Sequence, residues 1–325
     1  MTTNDSIEIF AGIDVSKANV DVCVLNAEGQ QLWSERVPRQ GVALQQLAVR
    51  LGPQCCAVLE ATGGLEALPA ALLETAGIRT VVENPAKMRH YALSHGWLEK
   101  TDRLDARVLA EFARERRPRP RRRRDTQQQA VAKLVTRRSQ LVGLRATERI
   151  RLRGENEAFC RQSIGAVIEA LSKLIAACEQ QIRQQVEASP QLLARAALLR
   201  TAPGVGEWTA YALLAWLPEL GECNRGEIAK LAGVAPLVQQ SGQWRGQVKI
   251  RGGRARVRSA LYLASLSTVR RDGYWRDFYL RLLTRGKQKK VGLIAVAHKL
   301  LLVLNQMVAH GCPWDSSYSR HGIAA

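Results

Sequence analysis

An apolar run from Ile7 to Ile13 stops at Asp14, and Asn19 to Leu25 and Gln31 to Val37 then alternate apolar and polar positions in the manner of half-buried strands. Glu28-Gly29 supplies a turn between the latter two, so an antiparallel three-strand meander is predicted. A helical stretch from Val42 to Leu51 precedes a short apolar strand, Cys56 to Leu59, that ends at Glu60. A helix from Leu65 to Ala76, a strand from Thr80 to Val82, and helices over Pro85 to Ser94 and Thr101 to Arg114 complete this region. Three meander strands followed by strand, helix and strand give the order of a ribonuclease H-like α/β domain.

The pattern changes at RERRPRPRRRR, from Arg114 to Arg124, where dense positive charge and two prolines predict a solvated linker. Three domains are therefore expected, covering residues 1–125, 126–190 and 191–325. Gln127 to Arg153 reads as one long polar helix. Beyond it Ile164, Ile168, Leu171, Ile175, Cys178 and Ile182 recur at alternating four- and three-residue steps. That seam suggests an antiparallel helical hairpin or an intermolecular coiled coil, with an ordinary amphipathic helix as the plainer alternative. After Ser189-Pro190 the chain reads as mainly helical, with the turn Pro203-Gly204-Val205-Gly206 between two apolar helical segments.

Composition narrows the partner. Forty-eight Lys and Arg against 29 Asp and Glu give a formal charge of +19, which favours a polyanion, and nucleic acid is the leading candidate. A membrane is not expected: Val291 to Ala309 is the most apolar stretch, but His298, Lys299, Asn305 and Gln306 interrupt it as in a buried helix. Met1 to Asp5 is polar and shows no secretory signal, and the seven scattered cysteines include no CxxC pair. A reducing cytoplasm and no structural zinc are the expectation.

Candidate chemistry lies in four carboxylates. Asp14 and Glu60 fall where two neighbouring strands should end, and Asp102 and Asp105, three apart on a helix, share one face. Together they could hold two magnesium ions roughly 3.5 to 4 Å apart, the arrangement that polarises a phosphodiester and stabilises attacking and leaving oxygens. Each also has a local reading, since Asp14 could close a turn and Asp102 could favour the positive end of a helix.

The segments GIDVSK around Asp14, LEATGG around Glu60, ENPAK from Glu83 and KTDRLDARVLAEF around Asp102 and Asp105 resemble the DEDD-type transposases of the insertion sequence one-ten family, the bridge-RNA-guided recombinases. LAGVAP, QQSGQWRG and KIRGGRARVRSALYLAS continue the resemblance through the C-terminal half. The resemblance implies a RuvC-like domain with Asp14, Glu60, Asp102 and Asp105 as ligands of Mg2+, and places a nucleophilic serine at Ser241. It further implies attack of Ser241 on DNA with a phosphoserine link, donor and target DNA and a bridge RNA as partners, and a homo-oligomer, a dimer or a tetramer on DNA. Such an enzyme would work in the prokaryotic cytoplasm, at the nucleoid.

Further contacts to nucleic acid are expected from three places. Gly204 and Gly206 look like a helix-hairpin-helix turn, where backbone N–H groups approach a phosphate, although a tight connection between packed helices needs the same residues. Arg245, Lys249, Arg251, Arg254, Arg256 and Arg258 crowd the segment after Ser241 and suit backbone neutralisation. Arg121, Arg122, Arg123 and Arg124 of the linker suit RNA. Two rival readings stay open at this level: a metal-dependent junction resolvase or nuclease that uses water, and a binding protein whose carboxylates serve only structure.

Overall fold

A computed structural model describes residues 8–99, 101–120, 126–238, 240–241, 244–245, 249–271 and 273–315. The chain divides into two compact units, Met1–Arg121 and Arg122–Ala325.

The first unit is a five-stranded mixed sheet with helices on both faces. β1 (Ile9–Val15), β2 (Asn19–Asn26) and β3 (Gln31–Pro38) form the predicted antiparallel meander. α1 (Gly41–Leu51), β4 (Cys55–Glu60), α2 (Ala67–Thr75) and β5 (Arg79–Glu83) follow, then α3 (Pro85–Ser94) and α4 (Asp102–Arg116). The strand order is β3-β2-β1-β4-β5, with β4 and β5 parallel to β1, an order compatible with a RuvC-like fold.

Strand alternation assigns the two faces. Ala11, Ile13, Val15, Ala57 and Leu59 pack with Leu44, Leu47, Ala48 and Leu51 of α1 and Ala70 and Leu73 of α2. The intervening residues Phe10, Cys56, Val58 and Val81 pack instead with Met88 and Tyr91 of α3 and Val108, Leu109 and Phe112 of α4. Gly12 belongs to this second face, and a methyl group there would overlap the Ala106 carbonyl oxygen and the Ala110 nitrogen. The missing side chain is what lets α4 lie against β1, beside the strand end that carries Asp14.

The second unit is mostly helical. α5 (Thr126–Gly154) and α6 (Ala158–Glu187) pair along their length, and their bonds Gln127 to Gln185, Arg138 to Glu179 and Arg145 to Ser172 span ever shorter sequence separations, which makes an antiparallel hairpin. The seam predicted on α6 faces inward where it nears the core: Ile175 and Ile182 are buried, whereas Ile164, Ile168 and Leu171 are half-buried.

α7 (Pro190–Arg200), α8 (Glu207–Trp216), α9 (Arg225–Ala232), α10 (Ala255–Thr268), α11 (Tyr274–Thr284) and α12 (Lys289–His310) complete the unit and share one apolar core with Val131 and Val135 of α5. Two pairs of two-residue strands interrupt the helices: β6 (Pro236–Leu237) with β9 (Lys249–Ile250), and β7 (Gln240–Ser241) with β8 (Trp244–Arg245). Among the described residues α12 alone is long and apolar enough to cross a membrane, but Val296, Ala297, Leu300, Leu301 and Leu304 of that helix are fully buried in this core.

Candidate metal centre and nucleic-acid interface

The register of the first unit aligns a polar row across the strand ends. Asp14 of β1 stands opposite Asp21 of β2, and Asp21 stands opposite Arg36 of β3. On the other side Ile13 aligns with Leu59, one residue short of Glu60, and Glu60 aligns with Glu83 of β5. By alternation the four carboxylates of the row share the face on which α4 packs, since each lies two positions from a residue of that face: Phe10 and Gly12 lead to Asp14, Cys23 to Asp21, Val58 to Glu60, and Val81 to Glu83, while Arg36 reaches the same face from opposite Asp21.

α4 adds two more carboxylates from above. Thr101 caps the helix by accepting a hydrogen bond from the Leu104 N–H at 3.2 Å, which fixes Asp102 and Asp105 in the first turn. Asp102, Asp105 and Glu60 each repel the charge on Asp14. Together with burial, the largest cause, they push the Asp14 carboxyl from its usual 3.8 up to about 6. The four carboxylates singled out in the sequence therefore share one electrostatic environment, although sequence order scatters them over about ninety residues.

Their flanking residues hold the backbone around them. After Glu60 the chain turns through Thr62 and Gly64, whose N–H groups donate to Glu66 at 3.0 and 2.8 Å. Glu83, buried next to Glu60, is paired with Lys87 at 2.7 Å, and Asn84 caps α3 by accepting from the Ala86 N–H. The ENPAK segment thus neutralises one carboxylate of the row, leaving Asp14 and Glu60 at its centre.

Two residues of this site were not anticipated from sequence. Arg36 donates to both oxygens of Asp21, at 2.9 to 3.2 Å, and also to Asp102 at 2.9 Å. Asp21 is buried, so this guanidinium is what makes its charge tolerable. Period-two counting outward from Asp14, with Ser16 and Asn19 as the turn, was the signal that would have placed Asp21 across from it.

The donor set suits a hard divalent cation: carboxylate oxygens, several of them, near enough to Asp14 to raise its proton affinity. Among the described residues no three acidic, histidine or cysteine side chains converge closely enough to hold an ion as they stand. Asp102 is drawn instead toward Arg36.

In the second unit the predicted contacts separate by what each side chain already does. Ser241 lies in β7, its backbone paired with Trp244, and Arg245 follows in β8; only the backbone is described at these positions. Arg254 pairs with Glu219 through two 2.6 Å bonds and donates to the Trp216 carbonyl, and Arg258 donates to the Gly252 carbonyl at 2.7 Å. These two guanidinium groups are committed to the fold. Arg256 reaches Thr136 while remaining exposed, and Lys249 and Arg251 are exposed. Arg121, Arg122, Arg123 and Arg124 lie outside the described residues.

The turn before α8 shows a structural use for its first glycine. Gly204 has φ +81° and sits against α10, where a side chain would overlap Thr268 and crowd the Ala264 carbonyl. Gly206, the residue preceding α8, faces open space. Glu207 in the first turn of α8 is bound by Arg183 at 2.9 Å, so an anionic group already occupies that end of the helix.

Comparison with known proteins gives the class. Residues 11–155 match a family model of the IS110 DEDD type described as a transposase, and residues 196–280 match one described as a transposase of the IS116/IS110/IS902 family. Over 94% of its length the chain is 28% identical to a pilin gene-inverting protein of Moraxella lacunata, covering 97% of that protein. An IS900 insertion element 42 kDa protein of Mycobacterium paratuberculosis is 26% identical over 92% of this chain and 95% of its own. An IS110 43.6 kDa protein of Streptomyces coelicolor is 29% identical over 47% of this chain. The chain belongs to the IS110 family of insertion-sequence transposases. It is accordingly a DNA transposase, and its DEDD domain points to dependence on a divalent metal.

Proposed function

We propose that this transposase mobilises its insertion sequence by cutting and rejoining DNA at Ser241, with divalent ions held by Asp14, Glu60, Asp102 and Asp105 and with a bridge RNA selecting the sites. The observation that carries the reading is the row of carboxylates beneath the start of α4, in which three neighbours raise the proton affinity of Asp14. A pair of Mg2+ ions, when bound, would neutralise charge on the phosphodiester and stabilise the oxygens that attack and leave. Asp14 and Glu60 supply ligands from rigid strand ends, and Asp102 and Asp105 supply them from one helical turn.

In the cleavage step the Ser241 oxygen forms a bond to phosphorus while the bond from phosphorus to the deoxyribose oxygen breaks. The serine hydroxyl gives up its proton, and the departing deoxyribose oxygen gains one. The phosphoserine ester keeps the energy of the broken bond, so attack by a second deoxyribose hydroxyl rejoins DNA without nucleotide hydrolysis. The Moraxella relative's name describes inversion of a gene, which needs the same cutting and rejoining.

The positive charge of the chain supports donor and target DNA as partners, with Lys249, Arg251 and Arg256 exposed for the backbone, and the arginine-rich sequence from Arg121 to Arg124 has the composition that binds RNA. A homo-oligomer is supported by apolar side chains exposed on the α5–α6 hairpin, among them Ile150 (68%) and Phe159 (74%).

The test is to sequence RNA that co-purifies with the protein, supply it with matching DNA and Mg2+, and look for a protein–DNA adduct mapped to Ser241. Ser241→Ala should abolish both adduct and cleavage, and Asp14→Asn should abolish cleavage while sparing binding. Cleavage by Ser241→Ala at the wild-type rate would instead mark a nuclease that uses water. A wild type that binds but never cuts would mark a binding protein.

A further inference from the structure

We propose that the cleft between α11 and α12 is a phosphate-backbone site for a polynucleotide, separate from the carboxylate row and from the basic segment after Ser241. The cleft has a volume of 160 Å³ and is lined by Phe278, Arg281, Leu282, Arg285 and Lys299. Two of these residues are apolar and three carry cations, a composition that suits the sugar-phosphate backbone better than an apolar small molecule.

The geometry that builds the cleft is specific. Gly286 at φ +76° makes the tight turn from α11 into α12, with its N–H and that of Lys287 donating to the carbonyls of Leu283 and Leu282. Gly292 then brings α12 against the Tyr279 ring, a distance that a side chain on Gly292 would prevent. The ammonium of Lys299 is anchored in place: it lies 4.3 Å from the centroid of Phe278 and donates to the Tyr274 hydroxyl at 3.3 Å. An anchored cation has less conformational freedom to lose when an anion arrives than a solvated lysine does.

The charges around the cleft are arranged against the stability of the isolated protein. Lys289 and Lys290 open α12 with no acidic residue in its first turn, so cations sit at the positive end of the helix, and Lys287 lies just before them. Arg281, Arg285, Lys287, Lys289, Lys290 and Lys299 form no ion pair among the described residues, and Asp277, one turn before Arg281, does not bridge to it. Binding a polyanion would offset this repulsion. The inference rests on the nucleic-acid reading above and extends it to a surface that the family resemblance does not assign.

The test measures binding of the full chain to three labelled probes, a single-stranded DNA, a single-stranded RNA and a DNA duplex, by fluorescence anisotropy over a range of salt. Arg281→Gln with Arg285→Gln should weaken at least one probe about tenfold and lower the slope of log affinity against log salt by about 1.5, the loss of two phosphate contacts. The probe most affected identifies the strand type. Lys133→Gln with Lys173→Gln removes the same formal charge from the α5–α6 hairpin and should change the slope less. Equal losses in both double variants, or none in the first at unchanged melting temperature, would overturn the site while leaving the transposase reading intact. Failure of the wild type to bind all three probes would sink both.

Discussion

Arg36, near the end of β3, holds Asp102, the first residue of α4, through a 2.9 Å ion pair, and the same guanidinium neutralises the buried Asp21. One exposed arginine therefore joins the sheet edge to the helix that completes the candidate metal centre. It also competes with any cation for the Asp102 carboxylate.

Arg36→Gln should lower the melting temperature, because the buried Asp21 loses its counter-charge while keeping its own. Adding Asp21→Asn should restore most of the loss, since the stranded charge is then gone. Thermal melts of the two variants decide this, and equal destabilisation in both would show that Asp21 is not the group Arg36 serves. Manganese titration of Arg36→Gln should show tighter apparent binding than wild type, as one competitor for Asp102 has been removed.

Asp14 gives a prediction with a defined pH window. Its folded value near 6 lies above the usual 3.8, so its protonation favours the folded state. That contribution is fully present below about pH 4 and is lost as pH rises through about 6. Without added metal, Asp14→Asn should therefore melt above wild type at pH 8, and the two should converge near pH 4. Scanning calorimetry across this range would show a parallel pair of curves if neither burial nor the neighbouring carboxylates raised the Asp14 carboxyl above its usual range.

The close approach at Gly12 predicts a third effect. Gly12→Ala forces a methyl into the backbone of α4 and should cost about 1–3 kcal/mol or more, with loss of strand cleavage as Asp102 and Asp105 shift. Gly41→Ala, at a position facing open space, should leave both stability and cleavage near wild type. Urea denaturation of the pair separates packing from a general glycine effect.

Much of the first unit was legible in the sequence because alternation and turn chemistry are local. The meander, the strand ending at Glu60 and the helix starting near Asp102 all follow from neighbours a few residues apart, and the structure extends them by only a residue or two, as with Asp14 inside β1 rather than after it. The full row from Arg36 to Glu83 was not legible, since it depends on the register of five strands, and Asp21 reads locally as one more polar position in an alternating strand. The short pairs β6–β9 and β7–β8 were missed because two-residue strands carry no period to detect. For Arg254 and Arg258 the sequence showed charge and proximity to Ser241, but only the fold reveals Glu219 and the Gly252 carbonyl as their partners.

Gly204 and Gly206 separate in the same way. Gly204→Ala should destabilise the second unit through its positive φ and its contact with α10, whereas Gly206→Ala should fold normally. A Gly206→Ala variant that melts as low as Gly204→Ala would show that both glycines are needed for packing.

The most direct test of the metal centre is anomalous diffraction from crystals soaked in Mn2+. One or two peaks are expected among the carboxylates of Asp14, Glu60, Asp102 and Asp105, with Asp102 turned away from Arg36, and no such peak in Asp14→Asn. Manganese bound elsewhere, with these four side chains unmoved and unliganded, would mean that they are not the metal ligands.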